Sequence, residues 1–295
     1  MFNINLVFSA VYVIFAGNKK TDMEFRTIID IKSSEAKIEP HDEVLLVGSC
    51  FADGIGRRFQ DEKFPTVVNP YGTMYNPVSI LHTVSNSPRS GGAKWVFLTL
   101  GTNHVYREKA TGEIVDNCQK RPASLFTEEE LTAEECAHYL QETVEVLRSR
   151  RPDVHIVLTV SPIRYRKYGY HESQLSKATL LLSAQMAISH PLLPISHHLS
   201  YFPAYEIMMD ELRDYRFYAP DMLHPSEQAV DYIWERLVET YFSPAARQWL
   251  ADWQPVKQAL AHRPFDAESA EYKTFMDKTM LKVAELRKKY STFAL

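Results

Sequence analysis

The sequence predicts an α/β protein built on a doubly wound parallel sheet, and three observations predict it. Four short runs, 44–47, 66–68, 95–100 and 155–160, are rich in β-branched, aromatic or leucine residues, the composition of strands buried on both faces. Gly, Pro or Asn stands close to most of their ends, which is turn chemistry. Helical patterns lie between and after the runs, and strand–helix alternation at this spacing gives a parallel sheet with crossover helices.

Taken in order, the first run ends in Gly48, and the residues after it predict a helix over 51–59. The second run leads into the turn Asn69-Pro70-Tyr71-Gly72-Thr73, and the third into Gly101-Thr102-Asn103-His104. A helix is predicted over 127–150, with a capping box at Thr127 and Glu130 and an apolar stripe of Cys136, Leu140, Val144 and Leu147. Basic residues fill its last turn before Pro152. Two more helices are predicted over 174–189 and 226–241, the latter with Val230, Ile233, Trp234 and Leu237 on one side. After Ser243-Pro244 the chain changes character. Trp249 and Trp253 precede a break at Pro255, and Pro264 opens an amphipathic segment to about Tyr290 in which Tyr272, Met276, Met280, Val283 and Leu286 recur at helical spacing. The expected organisation is an apolar N-terminal extension over 1–22, a core domain over 23–242 and a C-terminal helical extension over 243–295.

The 295 residues suffice for a large core, and the 45% hydrophobic and 24% charged fractions are those of an ordinary globular protein. A net charge of −4 leaves no basic footprint, so nucleic acid is not an expected partner. Cys50, Cys118 and Cys136 have no C-x-x-C spacing, which argues against a disulfide framework and a zinc site. P-loop, H-E-x-x-H, G-x-S-x-G and dinucleotide fingerprints are missing from the sequence, so neither cofactor nor metal is expected. His197-His198 is not a metal pair, because adjacent residues point apart. The apolar stretch 6–16 is too short for a confident membrane span. It follows a lysine- and arginine-free start, so 1–22 reads as an upstream extension or a misassigned start, with a degenerate signal or anchor as the alternative. The expected location is cytoplasmic, or secreted or periplasmic if 1–22 act as a signal.

Chemistry concentrates at two places. In Gly48-Ser49-Cys50 a hydroxyl and a thiol stand at a strand's carboxyl end, the edge where open α/β sheets bind ligands. A helix N-terminus there lowers the Cys50 thiol pKa toward the thiolate, or lets Ser49 help to stabilise an oxyanion. Ser49 as a plain helix cap and Cys50 as a small buried hydrophobe fit the same residues equally well. Gly72 and Asn103 offer an N–H and an amide to a developing anion, although turns also use both types. The second place is Asp221-Met222-Leu223-His224, an acid and a base just before the helix opening at Ser226. In triad logic His224 is the general base and Asp221 fixes its tautomer.

The block Gly48-Ser49-Cys50-Phe51-Ala52 resembles the motif that names the GSCFA family, bacterial proteins related to the SGNH/GDSL hydrolases. Asn69-Pro70-Tyr71-Gly72, Thr159-Val160-Ser161-Pro162, Ser176-Lys177-Ala178, 201–206, 214–218 and 221–226 extend the similarity from about Met23 to Phe242. The resemblance implies a flavodoxin-like three-layer sandwich with ester chemistry. It places Gly72 and Asn103 in the oxyanion hole, Asp221 and His224 as acid and base, and Cys50 where Gly-Asp-Ser has its serine, with Ser49 under the aspartate. A thiolate suits acyl transfer as well as hydrolysis. The expectation is an esterase or O-acyltransferase acting on an acyl ester of a small molecule or glycan; the alternative is a non-catalytic ligand-binding module on the same fold.

Overall fold

The computed structural model describes residues 26–290 except 117, 119 and 190–197. The expected extension over 1–22 and His197 lie outside the described residues. All four predicted runs form strands: β1 (Val44–Gly48), β2 (Thr66–Val68), β3 (Trp95–Leu100) and, later in the chain, β7 (His155–Val160). With β8 (Leu199–Tyr201), which sequence reading missed, they pair in parallel in the order β2-β1-β3-β7-β8. Renumbered within the sheet this is 2-1-3-4-5, the flavodoxin-like doubly wound order.

Both faces of the sheet are covered, and period-2 alternation sorts the side chains. Val44, Leu46, Trp95, Phe97 and Val157 face one core layer. That layer is closed by α1 (Cys50–Asp61), α5 (Glu227–Tyr241), α6 (Pro244–Ala261) and the last turns of α7 (Ala270–Lys289). Leu45, Val47, Val96, Leu98, Ile156 and Leu158 face the other layer, with α2 (Pro77–Asn86), α3 (Ala133–Arg150) and α4 (Tyr170–Ile188). The result is a three-layer sandwich.

Five local expectations are corrected. The segment Phe126–Glu130 is strand β6, which pairs antiparallel with β4 (His104–Glu108), itself flanked by β5 (Ile114–Val115). The Thr-x-x-Glu spacing occurs twice, and the capping box that forms is Thr132 with Glu135 rather than Thr127 with Glu130. Helix α4 starts at Tyr170, four residues earlier than predicted. Pro255 does not end α6: Trp249, Trp253 and Val256 are buried around it, and the indole N–H groups of Trp249 and Trp253 donate to Glu62 O (2.7 Å) and Asp61 O (2.9 Å) at the end of α1. Such packing outweighs the cost of about 3 kcal/mol for an internal proline. Helix α7 begins at Ala270 behind the Ser269 cap, not at Pro264, and buries Val283 and Leu286 in the core.

Candidate active site

In this sheet the order of strand addition reverses between β1 and β3, and ligands bind at the carboxyl ends of the parallel strands at such a switch point. The turns leaving these two strands carry Ser49-Cys50 and Gly101-Thr102-Asn103. Gly48 is required where they meet. Its φ is +143°, and a Cβ there would stand 2.1 Å from Thr99 O on β3. Asn69, itself at φ 40°, pins the same turn: its Oδ1 accepts the Gly48 N–H (2.9 Å) and its Nδ2 donates to Asp53 Oδ1 in the first turn of α1 (2.7 Å).

Cys50 opens α1, half-buried, with its Sγ 3.6 Å from Nε2 of His224. His224 arrives from 174 residues away in sequence, in the loop before α5. Its Nδ1 lies 2.6 Å from Asp221 Oδ2, while Asp221 Oδ1 accepts the N–H groups of His224 (3.0 Å) and Leu223 (2.9 Å). Those two backbone bonds, followed by the imidazole bond, hold the Asp221 carboxyl down at about 2. Nδ1 next to a permanent carboxylate carries the proton, which leaves Nε2 as the acceptor facing the sulfur. Arg164, four residues beyond the end of β7, secures this loop: its N–H donates to Leu223 O (3.1 Å) and its guanidinium to Met222 O (3.2 Å), with the Tyr170 ring centroid 4.3 Å from the guanidinium carbon.

Ser49 is fully buried. Its hydroxyl contacts Thr99 Oγ1 (3.3 Å) and accepts the Phe51 N–H (3.3 Å), so it caps α1 and ties it to β3. No hydrogen bond joins Ser49 to His224 among the described residues, which removes the geometric basis for Ser49 as the nucleophile. Gly72 also departs from expectation. It is exposed, and its N–H closes the turn by donating to Asn69 O (2.8 Å), so that N–H is spent. Asn103 is buried; its Nδ2 donates to Leu131 O (2.8 Å), which uses one of two amide hydrogens and leaves the second.

The thiol itself is a further correction. Burial pushes the Cys50 pKa up, and this outweighs the opposing pull of a hydrogen bond from the Tyr75 hydroxyl, its own N–H and the charge of Lys177. Helix polarity alone does not set it. Burial and the neighbouring Cys50 hold the Tyr75 phenol at about 12, so Tyr75 is a donor at neutral pH. The Tyr75 carbonyl accepts the N–H groups of Gly101 (2.8 Å) and Thr102 (2.9 Å), and its ring meets Tyr165 edge-on at 5.7 Å. Tyr165 stacks on Tyr168 (5.7 Å), and Tyr168 on His104 (3.8 Å), forming an aromatic wall that starts at Tyr75. Sequence reading missed Tyr75, Asn69 and Arg164 as site residues and gave Tyr165 and His104 no role. In the sequence Lys177 stands only within the Ser176-Lys177-Ala178 block, and its one signal is a charge at an inward position of α4. No group of three or more His, Cys, Asp or Glu able to hold a metal ion occurs among the described residues. None of the described helices is long and apolar enough to cross a membrane.

The GSCFA family profile matches residues 43–91 and 89–237, and the profile of the GSCFA domain protein C-terminal domain matches 253–295. The chain belongs to the GSCFA family. No curated protein matches this GSCFA chain. Similar solved structures include a family 3 carbohydrate esterase from Clostridium thermocellum, 13% identical, covering 75% of this chain and 100% of that one, with a TM-score of 0.40. Another is a family 3 carbohydrate esterase from Talaromyces cellulolyticus, 10% identical over 72% of this chain and 99% of that one, TM-score 0.38. A candidate GDSL-like lipase from Parabacteroides merdae is 11% identical over 69% of this chain and 97% of that one, TM-score 0.43. Likeness at this level says nothing about chemistry, which has to be argued from the residues of the GSCFA chain itself.

Proposed function

We propose that this GSCFA protein is a cysteine-dependent esterase or O-acyltransferase acting on an acyl ester. The observation that carries the reading is the Cys50–His224–Asp221 chain, with contacts of 3.6 Å and 2.6 Å at the switch point of the sheet. His224 Nε2 takes the thiol proton as Cys50 Sγ forms a bond to the acyl carbon, and the carbonyl electrons move to oxygen. The resulting oxyanion is met by the Cys50 N–H at the start of α1, the second Asn103 amide hydrogen and the Tyr75 hydroxyl. Collapse expels the alkoxide, which takes the proton from His224 and leaves a thioester on Cys50. Water or an acceptor hydroxyl then gives its proton to His224 and attacks the thioester. Hydrolysis or transfer follows, and the thiol is regenerated. Because burial raises the thiol pKa, His224 acts as a general base during attack rather than as the partner of a preformed thiolate.

The substrate class we infer is a small-molecule or glycan ester, with the wall of Tyr165, Tyr168 and His104 beside the leaving group. The same raised thiol pKa is the observation that favours the rival reading, a ligand-binding module on the same fold without turnover. The reading is tested by aryl acetate hydrolysis with Cys50→Ala, Ser49→Ala and His224→Ala. Cys50→Ala and His224→Ala should lose at least about a thousandfold in rate, and Ser49→Ala should keep activity in proportion to its folded fraction. Equal rates in all three and wild type would defeat the proposal.

A further inference from the structure

The segments that hold the His224 loop from either side also wall a cavity. On one side Arg164 grips Leu223 O and Met222 O. On the other, Ala219 N–H donates to His224 O (2.8 Å) and Ser226 N–H to Phe217 O (2.8 Å), so that Tyr218 and Pro225 pair as an antiparallel bridge. The side chains of Arg164 and Tyr218 line a cavity of about 240 Å³. Sites for larger ligands run from about 300 Å³ upward, so this one suits a single substituted ring. Its floor is apolar, with Met208 and Leu212 each 1% exposed. That floor belongs to a π-helical turn, Ile207–Glu211, in which Leu212 N–H reaches back to Ile207 O (3.0 Å), a backbone step that recurs at functional sites. Tyr215 and Tyr218 supply an aromatic side, their ring centroids 6.2 Å apart.

Charge selects the ligand. The Arg164 guanidinium lies 4.3 Å from the Tyr170 ring centroid and 5.4 Å from that of Tyr218. Among the described residues it meets no carboxylate, and Met222 O takes only part of its planar fork of donors. Arg213, also on the lining, is 81% exposed and reaches Asp210 only at 3.8 Å. The lining carboxylate, Asp214, is committed to Arg216, whose N–H and guanidinium each donate to it at 2.9 Å. Gln174 accepts the Tyr205 hydroxyl on Oε1, which leaves its amide N–H groups to offer. A cation with spare donors, held between aromatic faces above an apolar floor, matches an anion carried on a ring.

We propose that this cavity binds a ligand bearing a carboxylate on a ring-sized body: the carboxylate meets Arg164, with Arg213 and the Gln174 amide beside it, and the ring packs on Tyr215, Tyr218 and the Met208–Leu212 floor. The site uses none of Cys50, Asp221 or His224, so it stands apart from the esterase reading. The probe is benzoate, with benzyl alcohol as its uncharged match, titrated by ligand-observed NMR into the full chain. Wild type, Arg164→Gln, Arg213→Gln and Tyr215→Ala are compared, with folding checked by circular dichroism. Benzoate should bind wild type with a Kd of about 1 mM or tighter, and benzyl alcohol about tenfold or more weakly. Arg164→Gln should weaken benzoate about tenfold to a hundredfold, the range for a hydrogen bond to a charged group. Arg213→Gln and Tyr215→Ala should each weaken it about twofold to tenfold; both side chains are exposed, 81% and 69%, so these variants keep the fold even where Arg164→Gln does not. Failure of benzoate to saturate wild type, equal binding of benzyl alcohol, or wild-type affinity in both Arg213→Gln and Tyr215→Ala overturns the proposal. Benzoate is also added to an aryl acetate assay. A raised KM assigns the carboxylate to the ester's own body, and an unchanged KM with benzoate bound assigns it to a separate ligand. A protein that binds benzoate with this variant pattern and turns over no ester would sink the esterase reading and leave this inference standing.

Discussion

Replacing Lys177 with Met should stabilise the fold. The amine moves from its ordinary 10.5 to about 7 on folding, a drop of about 3.5 units. At about 1.36 kcal/mol per unit, the cost of keeping the buried amine charged is on the order of 5 kcal/mol. The variant also leaves Gly101 O without the Lys177 Nζ donor it has at 2.7 Å, which offsets about 1–3 kcal/mol. A net gain of about 2–4 kcal/mol is expected at neutral pH and below. The sign follows from proton counts. The unfolded chain holds the lysine proton up to 10.5 and the folded chain releases it near 7, so in that window the unfolded state binds more protons and wild-type stability rises with pH. The penalty is complete below about 7 and fades as 10.5 is approached. Cys50 titrates in the opposite sense, but it is present in both proteins and largely cancels in the difference. Urea unfolding followed by tryptophan fluorescence at about pH 6, 7.5 and 9 should show the advantage of the variant shrinking by about 2–3 kcal/mol from the lowest to the highest pH. A variant less stable than wild type by the same amount at every pH would refute the buried cation.

Asp221→Asn should leave the fold intact and lower kcat by about a hundredfold to ten-thousandfold, because an amide stabilises neither the Nδ1–H tautomer nor the imidazolium; the assay is steady-state ester hydrolysis. Since hydrogen bonds hold the Asp221 carboxyl at about 2, no loss of activity should trace to its protonation above about pH 4. Gly48→Ala should cost about 3–5 kcal/mol in chemical denaturation, from positive-φ strain and the overlap with Thr99 O. Tyr75→Phe should keep KM and lower kcat about a hundredfold to a thousandfold, the range for removing one oxyanion donor.

The parallel strands were legible because burial on both faces leaves unbroken apolar runs, and Gly48 marked the end of β1 for a reason the Thr99 contact makes plain. The β4–β6 sheet was not legible: Thr127-Glu128-Glu129-Glu130 reads as a helix start, and only pairing with His104–Glu108 makes it a strand. At the site, Cys50, Asp221 and His224 were readable because acid, base and nucleophile types stand at strand and helix ends. Ser49 and Gly72 were offered from the same positions, yet their hydrogen bonds go to the local turn, a choice made by backbone geometry. Tyr75 and Lys177 were beyond reach, since a turn tyrosine and a helical lysine acquire meaning only when packing brings them against Cys50 and Gly101.

Acyl trapping tests the account most directly. The protein is mixed with an aryl acetate, quenched in acid within the first turnover and digested for mass spectrometry. The account predicts an acetyl group on the peptide containing Cys50, assigned to its sulfur, formed in wild type and greatly slowed in His224→Ala. Acetylation confined to surface lysines, or undiminished at Cys50 when His224 is removed, would contradict it.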